Sequence, residues 1–129
     1  MQDDEALGSP LSRACRLQQG AAAVGFDWPD ESGPLEKLNE ELGELRRELG
    51  RGTRDGERVE DEIGDLLFAL VNLARKLGVD PDHALERAND KFRRRFAAVQ
   101  RLAESRGLEL GRASLAALDE LWDEVKRRR

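Results

Sequence analysis

The stretch Leu35–Leu77, LEKLNEELGELRRELGRGTRDGERVEDEIGDLLFALVNLARKL, decides the fold. Leu35, Leu38, Leu42, Leu45 and Leu49 recur every three or four residues, which is the seam of a helix packed against another helix. Val59, Ile63, Leu66, Leu70, Leu73 and Leu77 form a second stripe of the same kind. Between them Gly50, Gly52 and Gly56 break the pattern, and a connection of about a dozen residues lets two helices pack antiparallel. Each helix carries carboxylates three residues apart, Glu41 with Glu44 in ELGEL and Glu62 with Asp65 in EIGDL. Positions i and i+3 share a helix face, so four carboxylates can converge on one point, where a hard divalent cation relieves their repulsion.

Working outward, the other segments also read as helix. Ser9-Pro10 has the form of an N-cap and first helical position, and Leu11, Ala14, Leu17, Ala21 and Val24 follow at helical spacing up to Gly25. Phe26 to Pro34 holds Pro29, Gly33 and Pro34 and reads as a loop whose Phe26 and Trp28 pack down on the body. The helix from about Glu57 to Leu77 is apolar nearly all round in its second half, where Leu67, Phe68 and Val71 extend the stripe, while Glu62, Asp65, Ala69 and Asn72 form a strip beside it. Gly78 suits a helix terminus, and Asp80-Pro81 begins a fourth helix running towards Arg106 with Leu85, Ala88, Phe92, Phe96, Val99 and Ala103 inward and Arg87, Lys91, Arg94 and Arg95 on other faces. After Gly107 and Gly111, Ser114 caps a fifth helix with Leu115, Leu118, Trp122 and Val125 as its stripe. The expectation is an all-α antiparallel bundle of about five helices, with residues 1–8 a disordered tail and residues 9–129 one domain.

Composition bounds the function. With 129 residues the chain suits one core, and 38% charged against 5% aromatic residues, with no Tyr, favours helix over sheet. A net charge of −5 disfavours a general nucleic-acid footprint, while leaving room for a local basic face. The single Cys15 excludes an internal disulfide and suits a reducing compartment; no apolar run reaches membrane or signal-peptide length, so the expected location is cytoplasmic. ELGEL and EIGDL also share a central glycine, Gly43 and Gly64, each of which costs a helix about 1 kcal/mol relative to Ala and asks for a reason such as close helix approach.

Spacing alone does not prove a metal site. In a chain with 27 acids, acid-x-x-acid arises about five or six times by chance, and it occurs here five times: Asp27/Asp30, Glu41/Glu44, Glu57/Glu60, Glu62/Asp65 and Glu120/Asp123. Only the two pairs beside long apolar seams stand out, and a solvated, salt-bridged face explains them as readily. If a metal binds, the lone His83 and lone Cys15 leave zinc and thiolate chemistry without ligands. Oxygen donors then point to Mg²⁺ or Mn²⁺, ions that accompany substrate phosphates.

Five segments in order resemble the MazG family: GFDWP at 25–29, KLNEELGEL at 37–45, EDEIGDLLFALVNLARKLG at 60–78, ALERANDKFRRRF at 84–96 and LDELWDEVKRR at 118–128. The likeness is to the C-terminal domain of the long two-domain bacterial proteins, in a single copy. It implies an all-α nucleoside triphosphate pyrophosphohydrolase that cuts NTPs or dNTPs to monophosphate and pyrophosphate with Mg²⁺. Glu41, Glu44, Glu62 and Asp65 match the family's metal ligands and Lys37 a basic residue near them. Lys91, Arg95, Trp122 and Lys126 match positions that hold the nucleotide. Members form homodimers whose paired helices complete a four-helix bundle. Rival readings are a relative selective for dUTP or phosphoribosyl-ATP, and a helical interaction module without catalysis.

Overall fold

The structure, a computed structural model, describes residues 8–52 and 55–128. All but Gly8 of the expected N-terminal tail lies outside the described residues. Five helices follow in order: α1 Pro10–Ala23, α2 Ser32–Leu49, α3 Gly56–Lys76, α4 Pro81–Ser105 and α5 Leu115–Arg128, with no strand among the described residues. The fold is all-α. None of these helices is long and apolar enough to cross a membrane.

Local chemistry sets the helix ends. Ser9 caps α1, its hydroxyl accepting from the Ser12 backbone N–H at 3.1 Å with Pro10 at the first helical position. Asp80 does the same for α4, accepting from the N–H groups of Asp82 and His83, and Ser114 for α5 through Ala117. Gly25 and Gly78 take the left-handed conformation just beyond α1 and α3, where a side chain would be strained. At each, the following N–H reaches back to a carbonyl of the last turn, Phe26 to Ala21 and Val79 to Ala74. One boundary differs from expectation: α2 begins at Ser32, because Pro34 falls within its first turn, where the missing N–H breaks no helical bond.

The chain forms two compact units that divide after Ala84. In the first, α1 and α2 both pack on α3, burying Ala69 and Val71. The Asp82 carboxylate accepts from the hydroxyls of Ser9 and Ser12, tying the start of α1 to the first turn of α4. In the second unit Val99 and Ala103 of α4 meet Leu121 of α5, with Leu102, Leu110, Leu118, Trp122 and Val125 packed around them. Arg106 bonds Glu124 at 2.8 Å across that pair.

Several faces read as inward are open. Of the three residues that extend the α3 stripe, Val71 is buried, whereas Leu67 and Phe68 are exposed beside Ile63 and Leu70. On α4 the stripe holds only at its C-terminal end: Leu85, Phe92 and Phe96 are exposed, Phe92 at 58%, and so is Leu115 on α5. The periodicity identifies the apolar face, but among the described residues nothing covers its first half. Gly43 and Gly64 do not mark close helix approach either. A side chain at Gly64 would meet nothing within 4 Å, and one at Gly43 only the end of Arg47.

Candidate functional site

Glu41 lies about as far before the turn that ends α2 as Glu62 and Asp65 lie after the turn that starts α3, so the antiparallel pair sets them level. Carboxylate oxygens of Glu41, Glu62 and Asp65 come within 4.8 Å of one another. The environment is graded: Glu41 is buried at 8% exposure, Glu62 half-buried, Asp65 exposed. Desolvation, followed by the charges of Glu44, Asp65, Glu41 and Glu48, raises the Glu62 carboxyl above its ordinary value. Close anionic oxygens, one of them driven towards protonation, are a donor set that suits a hard divalent cation.

Glu44, the fourth expected ligand, is close enough to act on Glu62 but stands outside the convergent three. Its Oε1 is taken by Arg47 Nη2 at 2.6 Å, one turn along α2. Lys37 is where it was expected, its Nζ 3.2 Å from Glu41 and 3.7 Å from Glu40. The bond to Glu41, then the attraction of Glu40, holds its ammonium above the usual lysine range. Glu48 escaped the sequence reading. It is buried at 7% exposure, pairs with Arg51 at 3.6 Å and contributes to the field at Glu62. Its signal is a seven-residue offset from Glu41, two turns along one face, which a search for carboxylates three apart overlooks.

In the second unit Lys91, Arg95 and Lys126 line one groove of about 700 Å³ together with Arg94, Arg101 and Arg128, over a floor that includes Leu102 and Val125. Arg128 is paired with Glu124 at 2.9 Å. Among the described residues no acidic side chain lines the groove, so it presents a run of cations to an anionic ligand. Trp122 is not among its lining residues. The ring packs on the Val99, Ala103 and Leu121 core and meets Phe92 at 5.5 Å between centroids, tilted by 41°.

The expected loop is anchored in the first unit. Asp27 accepts from Arg75 at 2.5 Å and from Lys76 at 3.3 Å, and Lys76 also donates to the Trp28 carbonyl at 2.8 Å. The Arg75 hydrogen bond above all holds the Asp27 carboxyl far below the usual carboxylate range. Trp28 packs against Gly33 at the start of α2, where an added Cβ would come 2.3 Å from the indole ring. His83 is exposed, as its place at a helix start suggests.

The sequence profile of the MazG nucleotide pyrophosphohydrolase domain matches residues 31–100. The nucleoside triphosphate pyrophosphohydrolase of Escherichia coli (strain K12) is 44% identical over 117 residues, which cover 91% of this chain and 44% of that protein. The nucleoside triphosphate pyrophosphohydrolase/pyrophosphatase MazG of Thermotoga maritima is 46% identical over 116 residues, again 44% of its length. An uncharacterised Bacillus subtilis protein, YabN, shares 51% identity over 65 residues. The chain thus spans less than half the length of the two pyrophosphohydrolases it matches. The profile covers more than half of the chain, including all four candidate acids and the start of the basic groove, and by that match the chain belongs to the MazG nucleotide pyrophosphohydrolase domain family.

Proposed function

We propose that this chain hydrolyses nucleoside triphosphates, ribo or deoxy, to the monophosphate and pyrophosphate with Mg²⁺, Mn²⁺ being the alternative ion, and that residues 9–129 act as one catalytic domain in nucleotide-pool house-cleaning. The observation that carries this is the convergence of Glu41, Glu62 and Asp65 in a chain of this family. The donor set fits: three anionic oxygens from two helices, with no His or Cys among them, favour a hard ion that retains room for phosphate oxygens. A divalent ion bound there supplies neutralisation of phosphate charge and acidification of water.

The chain's own groups do the rest. Glu41, Glu62 and Asp65 would hold the ion, with Glu44, whose charge acts on Glu62, as the fourth ligand. Lys37 fixes Glu41 and tempers the cluster's charge. Lys91, Arg95 and Lys126 bind the phosphates, Arg95 through its planar fork and Lys126 as a point charge, while the ring of Trp122 stacks on base or sugar.

The protein works as a homodimer in this reading. Exposed Ile63, Leu67, Phe68 and Leu70 on α3 make an apolar face larger than soluble monomers usually leave open. Membrane and nucleic acid are not its partners, and the cytoplasm is its compartment. Pyrophosphate release across the common NTPs and dNTPs, with and without Mg²⁺, tests the activity; release unaffected by chelator, or none with any substrate, refutes it. Light scattering that gives a monomer mass at micromolar concentration refutes the dimer.

A further inference from the structure

The basic groove of the second unit is longer than a triphosphate needs. On α4 its cations run from Lys91 through Arg94 and Arg95 to Arg101, with Ser105 beyond them, at steps that keep to one helix face. Lys91 and Arg95, which the nucleotide reading gives to the phosphates, are about one turn apart, roughly 6 Å along the axis. Arg101 and Ser105 carry the row on for roughly another 15 Å, and α5 adds Lys126 and Arg128. A triphosphate at Lys91 and Arg95 leaves the far end without a ligand.

The row differs from an ordinary solvated helix face. There, charges of opposite sign alternate at three- and four-residue steps, because like charges at that spacing destabilise the helix. Other parts of this chain follow the rule, Arg93 pairing with Asp90 and Arg112 with Glu109. Along the groove Ala98 stands where an acid would serve, and of the six cations Arg128 alone has an ion-pair partner among the described residues. In a chain with 27 acids against 22 bases, an acid-free stripe of this length calls for a negative ligand.

The lining also selects the kind of anion. Apart from the Ser105 hydroxyl, which donates to the Leu102 carbonyl, its polar side chains are Lys and Arg, which donate and cannot accept. The matching ligand accepts along its whole length. A chain of phosphates does so, whereas a peptide brings backbone N–H groups that would find no acceptor in the lining. Single-stranded nucleic acid is held by aromatic platforms under its bases, and among the described residues no aromatic ring lines the groove. Ala98, Leu102 and Val125 give it an apolar floor, which concentrates the field of the cations.

We infer that this groove takes inorganic polyphosphate, laid along α4 from Lys91 towards Ser105, with Arg101 binding the part of the chain that a triphosphate does not reach. The inference rests on the nucleotide reading above, because the first phosphates take the positions given there to the triphosphate. Bound polyphosphate and nucleotide therefore exclude each other.

Titration calorimetry of the full chain in chelator, with tripolyphosphate and with long-chain sodium polyphosphate at several salt concentrations, tests it. Per bound site the long chain is expected to bind about tenfold or more tightly than tripolyphosphate, and to lose affinity more steeply on added salt because more cations are engaged. Arg101 is exposed, so Arg101→Ala spares the core. That variant is expected to lose most of the margin and of the extra salt dependence, while tripolyphosphate binding and pyrophosphate release from NTPs stay at wild-type values. No margin in the wild type, or a full margin in Arg101→Ala, overturns the inference. Equal binding of oligothymidylate or polyaspartate also overturns it, by making the groove a surface for nucleic acid or acidic peptide. Pyrophosphate release measured alongside keeps the two readings apart. A missing margin with hydrolysis intact sinks the polyphosphate site alone, and a margin without hydrolysis sinks the activity alone.

Discussion

The two units gather like charges in opposite ways. In the first, Glu41, Glu62 and Asp65 bring their oxygens within 4.8 Å, and one of the three is buried. In the second, six cations line a groove of about 700 Å³ along helices whose basic side chains stand mostly in solvent. Crowded, desolvated charges strain the fold unless something neutralises them, whereas spread and hydrated ones cost little when nothing is bound. The acidic site thus couples ligand binding to stability, and the basic groove does not. Substitutions that separate activity from stability put this contrast to the test.

The largest expected effect is at Glu62. Glu62→Gln removes a ligand and a charge while keeping the shape, so hydrolysis should fall by at least about a hundredfold. Thermal melting in chelator should show unchanged or higher stability, because a repelled carboxylate has gone. The raised proton affinity of Glu62 also fixes a sign. The folded state takes up a proton that the unfolded state does not, so metal-free stability should rise as pH falls through the raised value towards the ordinary 4.5. Excess Mg²⁺ or Glu62→Gln should abolish that rise. A Glu62→Gln enzyme with wild-type turnover, or a melting profile in chelator that only falls on acidification through this range, breaks the contrast on its acidic side.

Arg95→Ala and Lys126→Ala probe the other side. Each should lower kcat/KM by roughly 30-fold, as expected for about 2 kcal/mol per charged phosphate contact. Melting temperature and calorimetric Mg²⁺ binding should stay where they are. A large loss of stability in either variant would show that the groove is a structural charge network, and wild-type kinetics in both would move the phosphates to Lys37 or Arg94.

Much of this architecture was legible in the sequence, because much of it is local. Ser9, Gly25, Gly78, Asp80 and Ser114 act within one turn of their own positions, and each does what its residue type suggests. The convergence of Glu41 with Glu62 and Asp65 needed only two helical periods and one short turn. What failed depends on neighbours distant in sequence. Phe92 and Phe96 form an apolar face whose cover periodicity cannot supply, and Val71 is buried by helices whose rotation it cannot fix. The fit of Trp28 on Gly33 likewise joins a loop to a helix, and no spacing rule encodes it.

That fit gives a stability test away from both charged sites. Gly33→Ala places a Cβ 2.3 Å from the Trp28 ring, so the indole must leave its seat. Chemical denaturation should show a loss of about 1–3 kcal/mol, the usual cost of an added methyl in a filled contact. Mg²⁺ binding at the carboxylates, which lie away from this contact in sequence, should persist. Retained stability in Gly33→Ala would mean that the loop is not seated on α2 in solution.

The smallest expected effect is at Gly64, which lies between Glu62 and Asp65 on α3 with open space beside it. In a single chain Gly64→Ala adds a methyl that touches nothing and removes backbone freedom from the unfolded state, so α3 should gain about 1 kcal/mol. Gly43→Ala, facing only the far end of Arg47, should behave alike. The apolar face of Ile63, Leu67, Phe68 and Leu70 is on the same helix, and a dimer would bring a second chain against it. The gain therefore depends on what lies over Gly64 in the assembled protein. A gain at micromolar concentration leaves that spot open in the working molecule. A loss of stability that grows with protein concentration, together with a lower mass by light scattering, would show that the glycine is kept for the close approach of a partner helix. In that case the acidic cluster is bordered by a subunit interface, and the contrast between crowded acids and spread cations has to be redrawn for the dimer.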